Sequence, residues 1–300
     1  MKKILLLVHA PQKRPGHLNW LSFRDLIKSE VSEDVQVEMS ALTQLTFVLD
    51  SDNTRVYDHA QKFDVSSFDL VVFRTIGAYL EEAIAVAAYC RKKGIRYIDT
   101  YLPKIGNDKL DCAFVRWEHN LPVPKTIYGP VDGMLNEVAT VGLPAVLKAS
   151  AGKKGRDNYL VSTEDEISQY MAASGAPAFV LQNFIPNDGD LRLVVLNDEV
   201  RLVIKRHASQ GSHLNNTSQG GTAELIEPRE LPESALALAK EAARLEQLTV
   251  AGVDLIEDSQ TGAYYVLEVN RAPQIATGGF AELKAAAYAQ MLETLVKENK

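Results

Sequence analysis

Residues 252–257 and 263–270 read as two strands joined around Thr261 and Gly262. Side chains alternate faces along a strand, so Glu268 and Asn270 share one face. With the turn centred on Thr261, Asp254 falls opposite Glu268, Val253 opposite Val269, and Leu255 opposite Leu267. One face of the hairpin is then apolar. The other carries Asp254, Glu268 and Asn270, with Ile256 and Val266 beside them. Two carboxylates and an amide oxygen gathered in one place invite a cation. Hard oxygen ligands suit Mg²⁺, with Mn²⁺ as an alternative, above all a metal shared with phosphate oxygens. The plainer alternative is a solvated outer sheet face.

A second group is Lys148-Ala149-Ser150-Ala151-Gly152-Lys153-Lys154-Gly155-Arg156, set between two strands. Glycines let a backbone approach phosphate oxygens, and lysines supply charge. It is not a Walker A loop, in which Gly-Lys-Ser/Thr opens a helix, and it is not Gly-x-Gly-x-x-Gly. A basic hairpin tip remains the alternative. Lys205-Arg206-His207 opens a long polar stretch through Asn216 to Gly220-Gly221, either a binding loop or a surface segment without a role. His-Glu-x-x-His and Gly-x-Ser-x-Gly are absent. His9 and Arg74 each end an apolar strand, where open α/β sheets bind ligands, and both are equally readable as structural.

These residues need a scaffold. Residues 4–8 form an apolar run that fits a buried parallel strand. Helical spacing follows over 18–27, then strands at 35–39 and 69–73, an alanine-rich helix over 78–93 stopped by Gly94, and a strand at 95–98. That alternation predicts an open α/β sheet of about 100 residues. The segment 40–64 has no clear period. A helix over 109–120 runs into the break Leu121-Pro122-Val123-Pro124. Strands at 143–149, 158–161 and 178–182 surround a helix over 163–173 whose start, Thr163-Glu164-Asp165-Glu166, is a capping box. A hairpin pairs 191–196 with 200–205. A helix with proline in its first turn covers 232–248, and another covers 280–297. The first half is α/β and the second α+β, with the boundary near Tyr101-Leu102-Pro103.

Composition bounds the class. The chain has 300 residues, 46% hydrophobic and 24% charged, as expected for a soluble globular protein of about two domains. With 18 glycines and 12 prolines it is neither collagen-like nor low-complexity. The apolar run 4–8 is far too short for a membrane span or signal peptide, so a cytoplasmic protein with no cleaved segment is expected. Cys90 and Cys112 lack the spacing of a zinc site or disulfide framework and read as small buried side chains. A net charge of −7 speaks against nucleic acid or an anionic membrane as partner.

In order along the chain stand Asn107-Asp108-Lys109, Pro144-Ala145-Val146-Leu147-Lys148, Leu181-Gln182-Asn183-Phe184-Ile185, Asp190-Leu191-Arg192, Lys205-Arg206, Asn216 with Gly220-Gly221-Thr222-Ala223, Ala251-Gly252-Val253-Asp254 and Leu267-Glu268-Val269-Asn270. The series resembles the ATP-grasp superfamily and, within it, the RimK-like carboxylate–amine ligases. The resemblance implies an N-terminal α/β domain over 1–103 and a two-subdomain ATP-grasp fold over 104–181 and 182–300. It implies a carboxylate phosphorylated by ATP and an amine that attacks the acyl phosphate, giving an amide, ADP and phosphate.

By the same resemblance, Lys109 and Lys148 contact ATP phosphates, Lys148 also near the adenine. The loop bearing Gly152, Lys153 and Gly155 closes over the phosphates. Gln182 and the backbone through Phe184 and Ile185 form the adenine hinge, Asp190 sits near the ribose, and Lys205 belongs to the nucleotide set. Asp254, Glu268 and Asn270 hold two Mg²⁺ ions, and Arg206 and Asn216 face the transferred phosphoryl group. Two departures stand out: Lys153-Lys154 in the phosphate loop, and Arg271-Ala272-Pro273-Gln274 after Asn270, where Arg271 could reach a substrate carboxylate. The implied partners are small-molecule or peptide carboxylates and amines, not nucleic acid and not a membrane. Whether copies assemble into a homo-oligomer is not legible. Two other readings stay open: a peptide-modifying relative that forms ester or macrocyclic links, and a nucleotide-binding module without ligase activity.

Overall fold

The computed structural model describes residues 1–9, 15–50, 54–98, 109–150, 157–208 and 221–298. The elements run β1 (Lys2–Val8), α1 (Pro15–Glu30), β2 (Val35–Ala41), β3 (Leu45–Val48), β4 (Arg55–Asp58), β5 (Phe63–Asp64), β6 (Leu70–Arg74), α2 (Leu80–Lys93) and β7 (Arg96–Ile98). They continue α3 (Lys109–Glu118), β8 (Thr126–Tyr128), α4 (Val131–Asn136), α5 (Val138–Val141), β9 (Ala145–Ala149), β10 (Asn158–Val161), α6 (Glu164–Ser174) and β11 (Phe179–Asn183). Last come β12 (Asp190–Leu196), β13 (Glu199–His207), β14 (Thr222–Ile226), α7 (Glu233–Leu245), β15 (Val250–Glu257), β16 (Tyr264–Asn270) and α8 (Ala281–Lys297).

The first sheet has the order β2-β1-β6-β7, all parallel. Alternation along β1 divides its apolar run between two cores. Ile4, Leu6 and Val8 pack with Trp20, Phe23 and Ile27 of α1 and with Tyr288 and Leu292 of α8. Leu5 and Leu7 face α2 and residues of the segment 40–64. That segment, which showed no period, is a small antiparallel sheet β3-β4-β5. Its strands are too short to display one. Gly94 ends α2 in the left-handed conformation (φ 70°), as expected of a C-terminal cap.

A four-stranded sheet β10-β9-β11-β8 follows, antiparallel throughout. Ala145, Leu147 and Ala149 of β9 point into a core with Ile167 of α6 and Met134 of α4. Val146 and Lys148 therefore point the other way. Thr163 caps α6 through its side chain, with the reciprocal contact from Glu166.

A five-stranded antiparallel sheet β14-β13-β12-β15-β16 completes the chain. Leu191, Leu193, Val203, Val253 and Leu255 face Ala235, Ala239 and Ala242 of α7. Asn197 and Asp198 both take positive φ, the two-residue turn that suits the twist of the β12–β13 hairpin. On the opposite face, β12 begins polar at Asp190 and Arg192 and turns apolar at Val194 and Leu196, which join the core shared with α1 and α8. The C-terminal helix thus packs on the first sheet rather than closing a separate unit. The expected division at 181/182 falls inside β11, which belongs wholly to the four-stranded sheet. Pro232 is the N-cap of α7 rather than part of its first turn. No helix among the described residues is long and apolar enough to cross a membrane.

Candidate active site

The register of the five-stranded sheet builds a polar face. Asp190 pairs with Arg206 on β13, Arg192 with Asp254 on β15, Asp254 with Glu268 on β16, and Gly252 with Asn270. Period-two alternation puts all of these on one side. The Arg206 guanidinium grips Asp190 through two parallel hydrogen bonds, Nε to Oδ1 at 2.7 Å and Nη2 to Oδ2 at 2.6 Å. Arg192 holds Asp254 the same way, both bonds at 2.7 Å. Arg206 Nη2 also lies 3.1 Å from Asp254 Oδ2, which links the pairs into one chain of charges. Burial alone would raise the Asp254 carboxyl. The Arg192 and Arg206 guanidiniums outweigh it and hold the group below its ordinary range. Asn270, oriented so that both ends of its amide are satisfied, donates to Glu268 Oε1 (3.2 Å) and accepts from Arg192 (3.1 Å).

Gly189 makes this packing possible. Its φ is +96°, and a Cβ there would come within 2.3 Å of the Arg206 carbonyl oxygen. Only glycine lets the turn ahead of Asp190 lie against β13.

The four-stranded sheet supplies the opposing cations. Lys148 Nζ donates to Gln182 Oε1 (2.9 Å), and Gln182 Nε2 donates to Thr126 Oγ1 (2.9 Å), which fixes the lysine's direction. Lys109, at the start of α3, donates to the Ser150 carbonyl at 2.8 Å. Burial and the nearby charge of Lys109 lower the Lys148 ammonium to about 8, while Glu268 and Asp190 pull it back up. Glu268 and Asp190 of the five-stranded sheet are thus near enough for their charges to act on a lysine of the four-stranded one.

Asp254 lies opposite Glu268, and Val253 opposite Val269, as the spacing predicts. Leu255 pairs with Val266, not Leu267, because the register shifts between Asp254 and Leu255. That bulge turns Val266 into the core beside α7, away from the carboxylates. Lys205 is a second correction. It precedes Arg206, so alternation sends it to the opposite face, where it pairs with the exposed Asp188 at 3.1 Å. Asp190 accepts from Arg206 through both its oxygens, which orients that arginine. Arg271 turns to the buried Glu246 (2.7 Å) rather than toward a substrate.

Gln182 adds an anchoring role, and Phe184 and Ile185 follow β11 on the way to Gly189. Gly152, Lys153, Gly155 and Asn216 lie outside the described residues. Cys90 is buried, with its thiol pushed up to about 12, and Cys112 is half-buried. Sequence reasoning missed Arg192 as a site residue. Its signal was available: it stands two residues after Asp190, on the same face.

The model of the RimK-like ATP-grasp domain matches residues 106–295. A probable alpha-L-glutamate ligase of Xanthomonas euvesicatoria pv. vesicatoria is 30% identical over 255 residues, 80% of this chain and 83% of that protein. One from Trichodesmium erythraeum is 32% identical over 174 residues, 55% of this chain and 56% of that protein, so the match spans little more than half of that relative. The solved structure of the ATP-grasp ligase PsnB complexed with minimal precursor superposes with a TM-score of 0.72 over 99% of both chains, at 17% identity. The chain belongs to the RimK-like ATP-grasp family. Its activity class is that of an ATP-dependent, ADP-forming carboxylate–amine ligase.

Proposed function

We propose that the chain transfers the γ-phosphoryl group of ATP to a substrate carboxylate, then passes the acyl group to the amine of an amino acid or peptide. The observation that carries this reading is that Lys148, directed by Gln182 and close to Lys109, lies within electrostatic reach of the face on which Arg192, Arg206, Asp254, Glu268 and Asn270 are joined. A carboxylate is a poor phosphoryl acceptor, and the transferred group spreads negative charge over three oxygens. Catalysis then consists of positioning and of cations at those oxygens. Lys148 and Lys109 hold the nucleotide's phosphates. Arg206, fixed by Asp190, faces the group in transfer, and its planar fork suits a phosphoryl or carboxylate better than an ammonium does. Gln182 orients Lys148, and the backbone through Ile185 forms the adenine edge. Asn216 and the loop carrying Gly152, Lys153 and Gly155 complete the phosphate set and exclude water from the acyl phosphate.

Asp254 accepts from Arg192 and Arg206 and the Asn270 oxygen from Arg192, but each carboxylate or amide oxygen has a second lone pair, and with the exposed Glu268 beside them this donor set fits a hard divalent cation. Two carboxylates stand directly opposite on neighbouring strands, and the amide touches one of them. Three protein ligands are fewer than such cations take, which leaves places for phosphate oxygens and water. We assign two Mg²⁺ ions to this set. Bound there, Mg²⁺ would neutralise phosphate charge and polarise the γ-phosphoryl group.

The chain's relatives named as probable alpha-L-glutamate ligases favour glutamate, free or at a peptide end, as the first substrate to try. The PsnB complex with minimal precursor favours a second reading, ester or macrocyclic links made within a peptide. The test is a screen of amino acids and peptides for substrate-dependent release of ADP and phosphate, with mass spectrometry of the products. Amide formation between two molecules supports the first reading. Loss of water from a single peptide supports the second. AMP and pyrophosphate among the products would overturn the acyl-phosphate route. ATP binding without turnover in the presence of any acid would point to a nucleotide-binding module without ligase activity.

A further inference from the structure

Arg116 of α3, Glu246 at the end of α7 and Arg271 after β16 bring three charges together below the surface. Arg271 Nη2 donates to Glu246 Oε2 at 2.7 Å, and Arg116 Nη2 lies 3.8 Å from Glu246 Oε1. Arg116 is 6% exposed and Glu246 5%. The nucleotide and metal assignments above use none of the three.

Stability explains this group poorly. Glu246 is the C-cap of α7, where the helix dipole disfavours a carboxylate. Taking charges out of water is costly, and a buried arginine–glutamate–arginine triad exchanged for apolar side chains of similar size is often as stable or more so. What the triad adds is a fixed arrangement of the elements that carry its members.

Those elements also carry residues of the site. Arg271 directly follows Asn270, and the two point apart. Asn270 turns to Glu268 and Arg192 on the active face, while Arg271 turns to Glu246 at the end of α7. Anchoring Arg271 therefore fixes the stretch of backbone from which Asn270 projects. Farther on, the connection 271–280 is fastened separately. Ile275 packs with Val8 and Trp20, and Lys284 donates to the carbonyls of Gln274 and Thr277.

Arg116 stands seven residues after Lys109 in α3, two turns and about 10 Å along one side of the helix. The segment that follows α3 is bound to the five-stranded sheet. Leu121 packs beside α7, and the Pro122 carbonyl accepts from the Val266 amide at 2.9 Å. At the other end of α3, Lys109 reaches the Ser150 carbonyl beyond β9. Glu246 thus joins the helix that presents a phosphate lysine to the strand end that presents a metal ligand.

We propose that Glu246 is a positioning residue: through Arg271 and Arg116 it ties Asn270 to α3, so that the metal set and Lys109 meet one nucleotide in a fixed geometry. The inference rests on the metal assignment above and adds to it a residue that touches neither metal nor nucleotide. Its signature is the coupling between the two, the factor by which Mg²⁺ strengthens ADP binding. Calorimetry on the full chain, with ADP as the probe, measures that factor from titrations with and without Mg²⁺. Three proteins are compared with the wild type. Glu246→Gln keeps the shape and removes the charge. Glu246→Asp keeps the charge. In the third, Arg116→Met, Glu246→Leu and Arg271→Met are combined, so no charge is left buried alone.

In Glu246→Gln and in the triple variant the Mg²⁺ factor should shrink about tenfold, while metal-free ADP binding stays within about twofold of wild type. The triple variant should melt no lower than wild type. Glu246→Asp should recover most of the factor. An undiminished Mg²⁺ factor in a folded triple variant, or in Glu246→Gln, overturns the inference. So does an equal loss of ADP affinity with and without Mg²⁺, which marks general damage to the fold. If the triple variant does not fold, the contrast between Glu246→Gln and Glu246→Asp decides, and equal factors in the two overturn the inference. If Mg²⁺ does not strengthen ADP binding to the wild type, the metal assignment itself fails and takes this role with it.

Discussion

On the five-stranded sheet each arginine of the active face already rests on a carboxylate, whereas on the four-stranded sheet across from it Lys148 rests on a neutral amide. The first arrangement is a self-contained set of charges, rigid before any substrate arrives. The second keeps a cation partly desolvated and turned toward the opposing face, so that an incoming phosphate gains a strong partner. Substitutions on the two sheets should therefore fail differently. On the five-stranded sheet they strike the transfer step and, where a pair is buried, the fold. On the four-stranded sheet they strike nucleotide affinity and leave the fold nearly untouched.

The largest effect is expected at the carboxylates. Glu268→Gln should lower turnover by about 10³-fold or more, as expected when a metal that stabilises the transferred phosphoryl group is lost. Its melting temperature should stay near wild type, because Glu268 is exposed. Asp254→Asn should lose turnover and also destabilise the fold by about 3–5 kcal/mol, since it removes the buried counter-charge of Arg192 and Arg206. Activity close to wild type in Glu268→Gln at saturating Mg²⁺ would remove the metal from this face.

Next is Arg206→Lys, expected to lower kcat by about 10²-fold, the size of one lost contact to developing charge. ATP affinity should change little, because the opposing lysines hold the nucleotide. Lost ATP affinity with intact kcat would erase the distinction between the sheets, placing Arg206 with the nucleotide set.

Lys148→Ala should weaken ATP binding by about 1.5–3 kcal/mol, the worth of a hydrogen bond to a charged group, with little change in melting temperature. The pH dependence sharpens this. The free ammonium titrates near 8, and bound phosphate favours its charged form. Above pH 8, ATP binding should take up a proton and weaken by as much as about tenfold per pH unit. Calorimetry in buffers of different ionisation enthalpy should detect that proton in the wild type and lose it in Lys148→Ala. The same proton uptake in both proteins would assign the titration to another group.

The smallest effect belongs to Lys205→Met. Its side chain lies on the face opposite Arg206 and pairs with an exposed aspartate, so ATP affinity and kcat should stay within about twofold of wild type. A loss as large as that of Lys148→Ala would mean that Lys205 reaches the nucleotide after all.

The sequence by itself determined the elements and which residues of a strand share a face. Apolar runs such as 4–8, the Thr163 capping box, Gly94 and the spacing of Glu268 and Asn270 are local signals, and local signals follow from backbone periodicity. Asp254 stands opposite Glu268 through a bulge: beside the turn Glu257 pairs with Tyr264, and that register continued without a shift would set Leu267 against Asp254. The tertiary structure decided what no local signal carries. A bulge of one residue moved Val266 into the core, and nothing in an alternating run announces a bulge. Lys205 and Arg206 look alike in sequence, but their adjacency forces them to opposite faces, and the sheet's packing chose which face met the cleft. Asp190 found Arg206, Arg271 found Glu246, and Lys284 found two carbonyls, all through contacts between segments distant in the chain. A charge in a folded protein acquires its role from whatever is brought against it, and only the completed packing of β12, β13, β15 and α8 fixes those neighbours.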